Sequence, residues 1–149
     1  MEEIITFSSV IVVLLTFLFG YLERRASDRR QRTLEFLLKI IEGEGTIHEA
    51  HLYFAAWIRD NRVIENDEVS QDDDLVIIKL LDFYDLIADT TMKGVIDRQM
   101  IILHLGGRMR SAFSLLSNYI QHRRERLNRP RLYMPLETFI NEHILNSDV

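Results

Sequence analysis

Three aspartates have the residue type and spacing of a chemical site. Asp82, Asp85 and Asp89 stand at positions i, i+3 and i+7, so on a helix their carboxylates lie along one face. Carboxylates on one helical face bind metals in some helical bundles, but those sites also contain Glu-x-x-His pairs, which this stretch lacks. We therefore expect no catalytic residue and no metal here, and we expect a polar strip that is solvated or paired with Arg108 or Arg110.

Other candidate ligands are weaker. His48 and His51 are three residues apart with Glu44 and Glu49 nearby, but the pattern is not the H-E-x-x-H of a zinc helix. The run Gly106-Gly107-Arg108 has neither the dinucleotide-binding nor the Walker spacing of a phosphate loop. The sequence contains no cysteine, which excludes disulfides and thiolate chemistry. We expect no cofactor.

Two basic runs are candidates for contact with an anionic partner. The first consists of Arg24, Arg25, Arg29, Arg30 and Arg32, and the second of Arg123, Arg124, Arg126, Arg129 and Arg131. The formal net charge of the chain is −5, so we expect the second run to meet anionic lipid headgroups or a protein partner and not nucleic acid. The alternative is a solvated helix end whose cations suit the helix dipole.

The first apolar stretch determines where the rest of the chain is placed. Ile4 to Leu22 contains no charged residue, and at about 1.5 Å per residue it is just long enough to cross a hydrocarbon core of about 30 Å. We interpret it as a retained transmembrane helix. A cleaved signal peptide is disfavoured because Met1-Glu2-Glu3 is acidic and no small-x-small cleavage site follows; a buried helix of a globular domain is the remaining alternative.

The basic run after this stretch predicts its orientation. Because the first run of arginines follows the stretch directly, the positive-inside rule places the carboxyl-terminal part in the cytoplasm and the amino terminus outside. We therefore predict a protein of the bacterial inner membrane in three parts: a short tail and transmembrane helix over 1–22, a basic juxtamembrane helix over 23–42, and a cytoplasmic helical domain over 43–149.

The juxtamembrane pattern predicts that the first helix does not end at the membrane. Leu34, Leu37, Leu38 and Ile41 have the spacing of one helical stripe, and no Gly or Pro stands between Leu22 and Thr33. We expect one helix of about 38 residues from the span to Ile41, ended by Gly43 and Gly45.

The rest of the chain predicts about four further helices and an all-α fold. The second helix begins at the capping box Thr46-Ile47-His48-Glu49, and an acidic loop covers Val63 to Ser70. The third and most buried helix begins at Asp72-Asp73-Asp74 and is ended by Gly94.

The fourth helix is predicted to be long. Asp97 is its expected N-cap, and it runs towards Leu127 with a kink or close contact at Gly106-Gly107, since glycine costs about 1 kcal/mol there relative to alanine. Pro130 stops it and Arg131 to Met134 is predicted to be extended. Pro135 then begins a last helix through about Leu145.

Part of the chain resembles a known family. The segments LLDFYDLIADTTMKGVIDRQMI and LSNYIQHRRERLNRPRLYMPLETFI resemble the bacterial and phage domain-of-unknown-function family numbered 4760. The family pattern is matched by Leu81, Tyr84, Ile87, Ala88, Gly94, Ile96, Asp97 and Arg123 or Arg124, whereas Asp85 replaces a Glu and Thr90 a common Gly. The resemblance implies an amino-terminal membrane helix before an all-helical domain, and it implies no activity.

These observations favour a non-enzymatic, single-span inner-membrane protein whose cytoplasmic domain binds a protein partner or a second copy of itself. Phage defence, exclusion or counter-defence is the context that the resemblance implies. One alternative is a membrane effector that oligomerises through its span, using Ser8, Ser9, Thr16 and Gly20, and perturbs the bilayer. The other is a metal-dependent hydrolase built on Asp82, Asp85 and Asp89.

Overall fold

The structure is a computed structural model that describes residues 2–41, 46–59 and 69–144, with side chains from Leu14 onward except at 40–41, 46–48 and 58. The described residues contain helices and turns and no strand, which confirms the all-α class. The predicted helix stop at Gly43 and Gly45, the loop from Val63 to Glu68 and the helix end at Leu145 lie outside the described residues.

The first helix, α1, is continuous from Glu2 to Ile41, as predicted from the absence of Gly and Pro in its middle. Its side chains from Leu14 to Leu22 are exposed, among them Phe17 at 80% and Phe19 at 72%. Within the part of the chain that the structure describes, no helix meets the length and apolarity that crossing a membrane requires. The side chains of residues 2–13, which include more than half of the predicted span, lie outside that part.

The face of α1 that packs on the domain differs from the predicted stripe. Leu37 is buried, but Leu34 and Leu38 are each 50% exposed, and Thr33 is completely buried. The prediction selected apolar residues alone, and the side chain of one of them, Ile41, lies outside the described residues. On the docked face, Leu37 is joined by the Thr33 hydroxyl and by Phe36, whose ring stacks on the core ring of Phe83. The consequence is that Leu34 and Leu38, one helical turn apart, leave an apolar strip of α1 uncovered.

Helix α2 (Thr46–Arg59) and helix α3 (Gln71–Met92) follow. Helix α3 is central: its buried residues Ile77, Leu80, Leu81, Phe83, Tyr84, Ile87, Ala88 and Thr91 contact both α2 and the last helices. Ser70 caps its N-terminus by accepting from the Asp73 amide. Its end is a Schellman turn, because Gly94 has φ +69° and donates to Thr91 while Val95 donates to Thr90.

The predicted fourth helix is divided into several segments. Helix α4 (Arg98–Ile101) leads into a π-helical segment (Ile102–Gly106), helix α5 (Gly107–Leu115) and helix α6 (Ser117–Arg126). The π-helical segment ends at Gly106-Gly107, where the sequence predicted a kink or a close contact, and Gly106 is buried against Ile144. The second interruption, at Leu116 with φ −96° and ψ 8°, was not predicted.

The last part of the fold corrects the prediction of an extended segment. Helix α6 ends at Arg126, and Asn128, at φ 50°, closes it in a second Schellman turn. Residues 130–133 form turns because the buried Tyr133 adopts the left-handed conformation, which brings the chain back onto α3. Helix α7 (Met134–Phe139) and a π-helical segment (Ile140–Ile144) then complete the core.

Candidate functional site

The three aspartates of α3 have structural partners. Asp85 Oδ1 accepts from the Leu136 amide at 3.0 Å. Leu136 is the third residue of α7, and the N-cap residue of α7, Tyr133, makes no side-chain cap hydrogen bond. Asp85 therefore acts as the cap of α7 from a neighbouring helix. Burial, with the charges of Asp89 and Asp82, raises the pKa of the Asp85 carboxyl, and the Leu136 amide opposes that rise.

The two flanking aspartates, Asp82 and Asp89, also have partners. Asp89 forms an ion pair with Lys93 at 2.6 Å, four residues later on the same helix. Asp82 lies beside Tyr133, where burial of the ring, the charge of Asp82 and a hydrogen bond to it raise the pKa of the tyrosine. Asp85 and Asp82 thus hold the last helix and the turn before it against α3, whereas Asp89 is paired at the end of α3 itself. No group of three metal-ligating side chains occurs among the described residues.

Of the histidine pair His48 and His51, the structure describes only the side chain of His51. His51 Nε2 is 2.8 Å from the Tyr84 hydroxyl, and its ring meets the Phe83 ring edge to face at a centroid distance of 5.8 Å. Burial raises the pKa of Tyr84, so this hydroxyl stays protonated and holds α2 against α3. The side chains of His48 and Glu44 lie outside the described residues.

The second basic run divides into inward and outward arginines. The side chains of Arg123 and Arg124 are each only 15% exposed, whereas Arg126, Arg129 and Arg131 are exposed. Arg124 joins α6 to the following turn and to α7, through its Nε to the Leu132 carbonyl at 2.9 Å and its Nη2 to Glu137 at 2.7 Å. This part of the run is therefore a structural tie.

Arg123 occupies a different environment at the start of α3. Its Nη1 donates to the Tyr119 hydroxyl at 3.0 Å and lies 3.6 Å from Asp74 Oδ1, and Tyr119 in turn donates to Asp74. Burial and the hydrogen bond to Asp74 raise the pKa of Tyr119 to about 12. The Nε of Arg123 is buried and has no hydrogen-bond partner among the described residues.

A surface cavity of about 230 Å³ opens beside this cluster. It is lined by Val69, Gln71, Asp74, Tyr119, His122, Arg123 and Arg126. Sequence reasoning found the arginines but missed Asp74 and Tyr119 as their companions. The available signal was the spacing of Tyr119 and Arg123, which stand four residues apart and therefore on one helical face.

The first basic run also divides. Arg24, Arg25 and Arg32 are exposed, while Arg30 Nε lies 3.6 Å from Asp97 Oδ2. The Nη1 of Arg29 lies 3.8 Å from the point where a Cβ on Gly94 would be. Of the five predicted juxtamembrane cations, Arg30 therefore pairs with the domain and Arg29 lies near Gly94.

Thr33 is the residue on which this contact centres, and sequence reasoning did not select it. Its hydroxyl accepts from the Asp97 amide at 2.8 Å and donates to the Arg29 carbonyl at 2.7 Å. Asp97 in turn caps α4 by accepting from the Met100 amide, which confirms its predicted N-cap role. We name the group Arg30, Thr33 and Asp97 the α1 clasp, because it joins α1 to the start of α4.

Comparison with known proteins gives one match. The family model described as "Domain of unknown function (DUF4760)" matches residues 3–143, which includes α1 and nearly all of the domain. Searches of curated proteins and of solved structures give no match.

Proposed function

Because the chain belongs to the DUF4760 family, whose description assigns no activity, we propose a function from its own contacts. It is a non-enzymatic protein-interaction module that α1 anchors in a bacterial inner membrane, with the amino terminus outside and the helical domain in the cytoplasm. The domain binds a protein partner or a second copy of the chain near the membrane.

One observation carries this proposal: α1 is a single helix whose two halves have different surroundings. Its half from Leu14 to Leu22 exposes large apolar side chains, whereas its half from Arg29 to Leu37 docks on the domain through the α1 clasp and Leu37. An apolar surface of this kind is expected to contact lipid or another protein. The charge-free sequence from Ile4 supports lipid, since its length matches a hydrocarbon core.

The charges at the boundary support the orientation. Arg24, Arg25 and Arg32 are exposed just beyond the apolar half of α1, where cations on the cytoplasmic side are favoured. Arg29 and Arg30 add to this belt, and Arg30 also pairs with Asp97 of the domain. The domain would therefore sit directly beneath the headgroups.

Two features support interaction over catalysis. The aspartates of the hydrolase alternative are used as a helix cap, an ion pair and a tyrosine contact. The uncovered strip of Leu34 and Leu38 on α1 offers an apolar surface close to the membrane, where a partner helix would bury it.

A pair of matched substitutions on α1 tests the proposal in the full chain. Leu18→Arg and Leu38→Arg each replace an exposed leucine, so neither change disturbs the core. Leu18→Arg is expected to release the protein from carbonate-washed membranes. Leu38→Arg is expected to remain in the membranes and to lose the crosslinked partner or dimer seen with the wild type.

Two results would contradict the proposal. One is wild-type protein that carbonate extracts completely from membranes. The other is a wild-type chain that is monomeric in membranes and gives no specific crosslink.

Self-assembly within the membrane is a second candidate function. Gly20 has no atom from elsewhere in the described chain within 4 Å of the position of an added Cβ, so another helix could approach α1 closely there. An effector that perturbs the bilayer would depolarise cells that express the wild type, and Leu18→Arg would abolish this. Unchanged membrane potential at equal expression would leave the interaction module as the better account.

A further inference from the structure

We propose that the uncovered side of α1 pairs with α1 of a second copy of this chain, as two parallel helices in register. This inference rests on the proposed function and deepens it by naming the partner. The pairing positions are exposed and stand alternately three and four residues apart, which is the spacing of a two-stranded coiled coil. They are Gly20, Arg24, Ser27, Gln31, Leu34 and Leu38, and we call them the α1 seam.

The α1 seam lies on a different side of the helix from the domain. Leu34 and Leu38 each follow a docked residue, Thr33 and Leu37, by one position, which is about 100° around the helix. Both seam leucines are 50% exposed, whereas the two docked residues are buried. A second helix therefore covers the leucines without displacing the domain.

The distance of the two leucines from the membrane indicates that protein covers them. Leu34 is twelve residues beyond Leu22, so it lies about 18 Å beyond the end of the predicted span. The headgroup layer is only about 5–8 Å thick on each side of a bilayer. Lipid therefore does not reach this part of the seam.

The length of the seam favours a second copy over another protein. A partner that covers it from Gly20 to Leu38 runs beside α1 within the proposed span and for about 24 Å beyond it. Such a partner is a membrane helix that continues unbroken into the cytoplasm, which is the form of α1 itself. Because every copy crosses the membrane in the same direction, two copies of α1 are parallel, and a twofold axis places each seam residue opposite its equivalent.

Charges beside the seam suit this parallel register. Arg30 and Glu35 are exposed on opposite edges of the seam. In a parallel pair the residue at the first edge meets the residue five positions later on the other helix, so Arg30 of each copy faces Glu35 of the other. The Arg30 side chain is 66% exposed, although its Nε lies 3.6 Å from Asp97 Oδ2, and its guanidinium is therefore accessible to a second copy.

Polar residues within the seam set its register. A polar side chain at one core position of a coiled coil costs stability but specifies how the helices align, and Gln31 occupies such a position. Closer to the membrane, Glu23 and Asp28 stand on the two edges of the seam beside Arg24, so carboxylates of the other helix offset the repulsion between the two Arg24 side chains. These residues favour one alignment over a pair that slides along α1.

Disulfide formation between single cysteines tests the pairing in the full chain, which contains no cysteine of its own. Ser27→Cys, Leu34→Cys and Leu38→Cys place the thiol on the seam. Arg32→Cys and Lys39→Cys place it at exposed positions on another side of α1. Membranes that contain each variant at equal density are treated with a mild oxidant. The seam variants are expected to form disulfide-linked homodimers at least about tenfold faster than the two controls, because a disulfide requires Cα atoms within about 7 Å.

A charge reversal combined with Leu34→Cys tests the register. Glu35→Arg sets Arg30 of one copy against a second arginine on the other, and it is expected to slow disulfide formation about three- to tenfold. The matched control is Glu49→Arg, which reverses an exposed carboxylate on α2, away from the seam. This control is expected to change the rate less than about twofold.

Three results would overturn the inference. They are equal rates for the seam and control cysteines, seam cysteines that link only to a different protein, and equal slowing by Glu35→Arg and Glu49→Arg. Linkage to a different protein would leave the proposed function standing, since the chain would still bind a partner through α1. Complete extraction of the wild type by carbonate would instead contradict the proposed function itself, so the two failures are distinguishable.

Discussion

Thr33→Val tests the α1 clasp directly. Thr33 is completely buried, and valine has nearly the same shape, so the substitution replaces the hydroxyl without leaving a cavity. The Asp97 amide loses its acceptor, which is 2.8 Å away in the wild type. The Arg29 carbonyl loses the hydroxyl but still accepts the backbone N–H of the same helix.

The magnitude follows from the single unpaired donor. A buried N–H without an acceptor costs about 1–3 kcal/mol, so the free energy of unfolding of Thr33→Val is expected to fall by that amount. Thr33→Ser keeps the hydroxyl and loses one methyl group, worth about 1 kcal/mol. Because these ranges touch, stability alone does not separate the two variants.

Amide hydrogen exchange at Asp97 separates them. Urea denaturation of the full chain in detergent gives the stability of each variant, and exchange of the Asp97 amide under native conditions reports its hydrogen bond. Thr33→Val is expected to accelerate that exchange at least about tenfold relative to the neighbouring amides, and Thr33→Ser is expected to retain protection. Equal protection of this amide in the two variants would refute the assignment of the clasp.

Three further predictions concern the domain. Gly107→Ala is expected to stabilise the fold by about 1 kcal/mol, since Gly107 is helical with open space around it. Gly94→Ala should lower the free energy of unfolding by about 1–2 kcal/mol, because the φ of Gly94 is +69°. Equal urea midpoints for the two variants would contradict this. Burial raises the pKa of Asp85 in the folded state, so its contribution to stability is present below the unfolded pKa and is lost as pH rises through the raised value. Asp85→Asn does not titrate and so does not lose stability in this way. The free energy of unfolding of Asp85→Asn relative to wild type should therefore be higher at pH 7 than at pH 4. A parallel pH dependence of the two proteins would refute this prediction. Arg124→Gln should lower the free energy of unfolding by about 1.5–3 kcal/mol, because the part-buried Leu132 carbonyl loses a charged donor; a loss no larger than that of the exposed Arg131→Gln would argue against the tie.

Some elements of this fold could be predicted because local chemistry determines them. The start of α2 at Thr46 agrees with the start predicted from the T-x-x-E sequence, and the cap at Asp97 and the turn at Gly94 follow from residue type. The continuity of α1 to Ile41 follows from an uninterrupted run of helix formers. In each case a few adjacent residues decide the backbone.

Other features depend on contacts between residues far apart in sequence. Tyr133 has a left-handed conformation and a buried ring beside Asp82, and nothing near it in the sequence indicates either feature. The centre of the docked face is Thr33, where the pattern predicted leucines. Its partner, the Asp97 amide, is 64 residues away in the sequence, so no local pattern indicates the contact. The cavity beside Arg123 likewise needs α3 and α6 together, so spacing within either helix alone could not show it.

Whether α1 both enters the membrane and docks on the domain, as we propose, can be measured residue by residue along the helix. Since the chain contains no cysteine, single cysteines at positions 14–37 of the full chain in nanodiscs can be spin-labelled, and their access to oxygen and to a water-soluble nickel complex measured. In discs that hold a single copy, we expect positions 14–22 to be open to oxygen and closed to nickel on every face of the helix, and positions 23–25 to mark the crossing to water. The exposed positions 31 and 35 should be open to nickel, and the half-buried position 36 on the docked face less so. Access of nickel to positions 14–22 in membrane-bound protein would contradict the account.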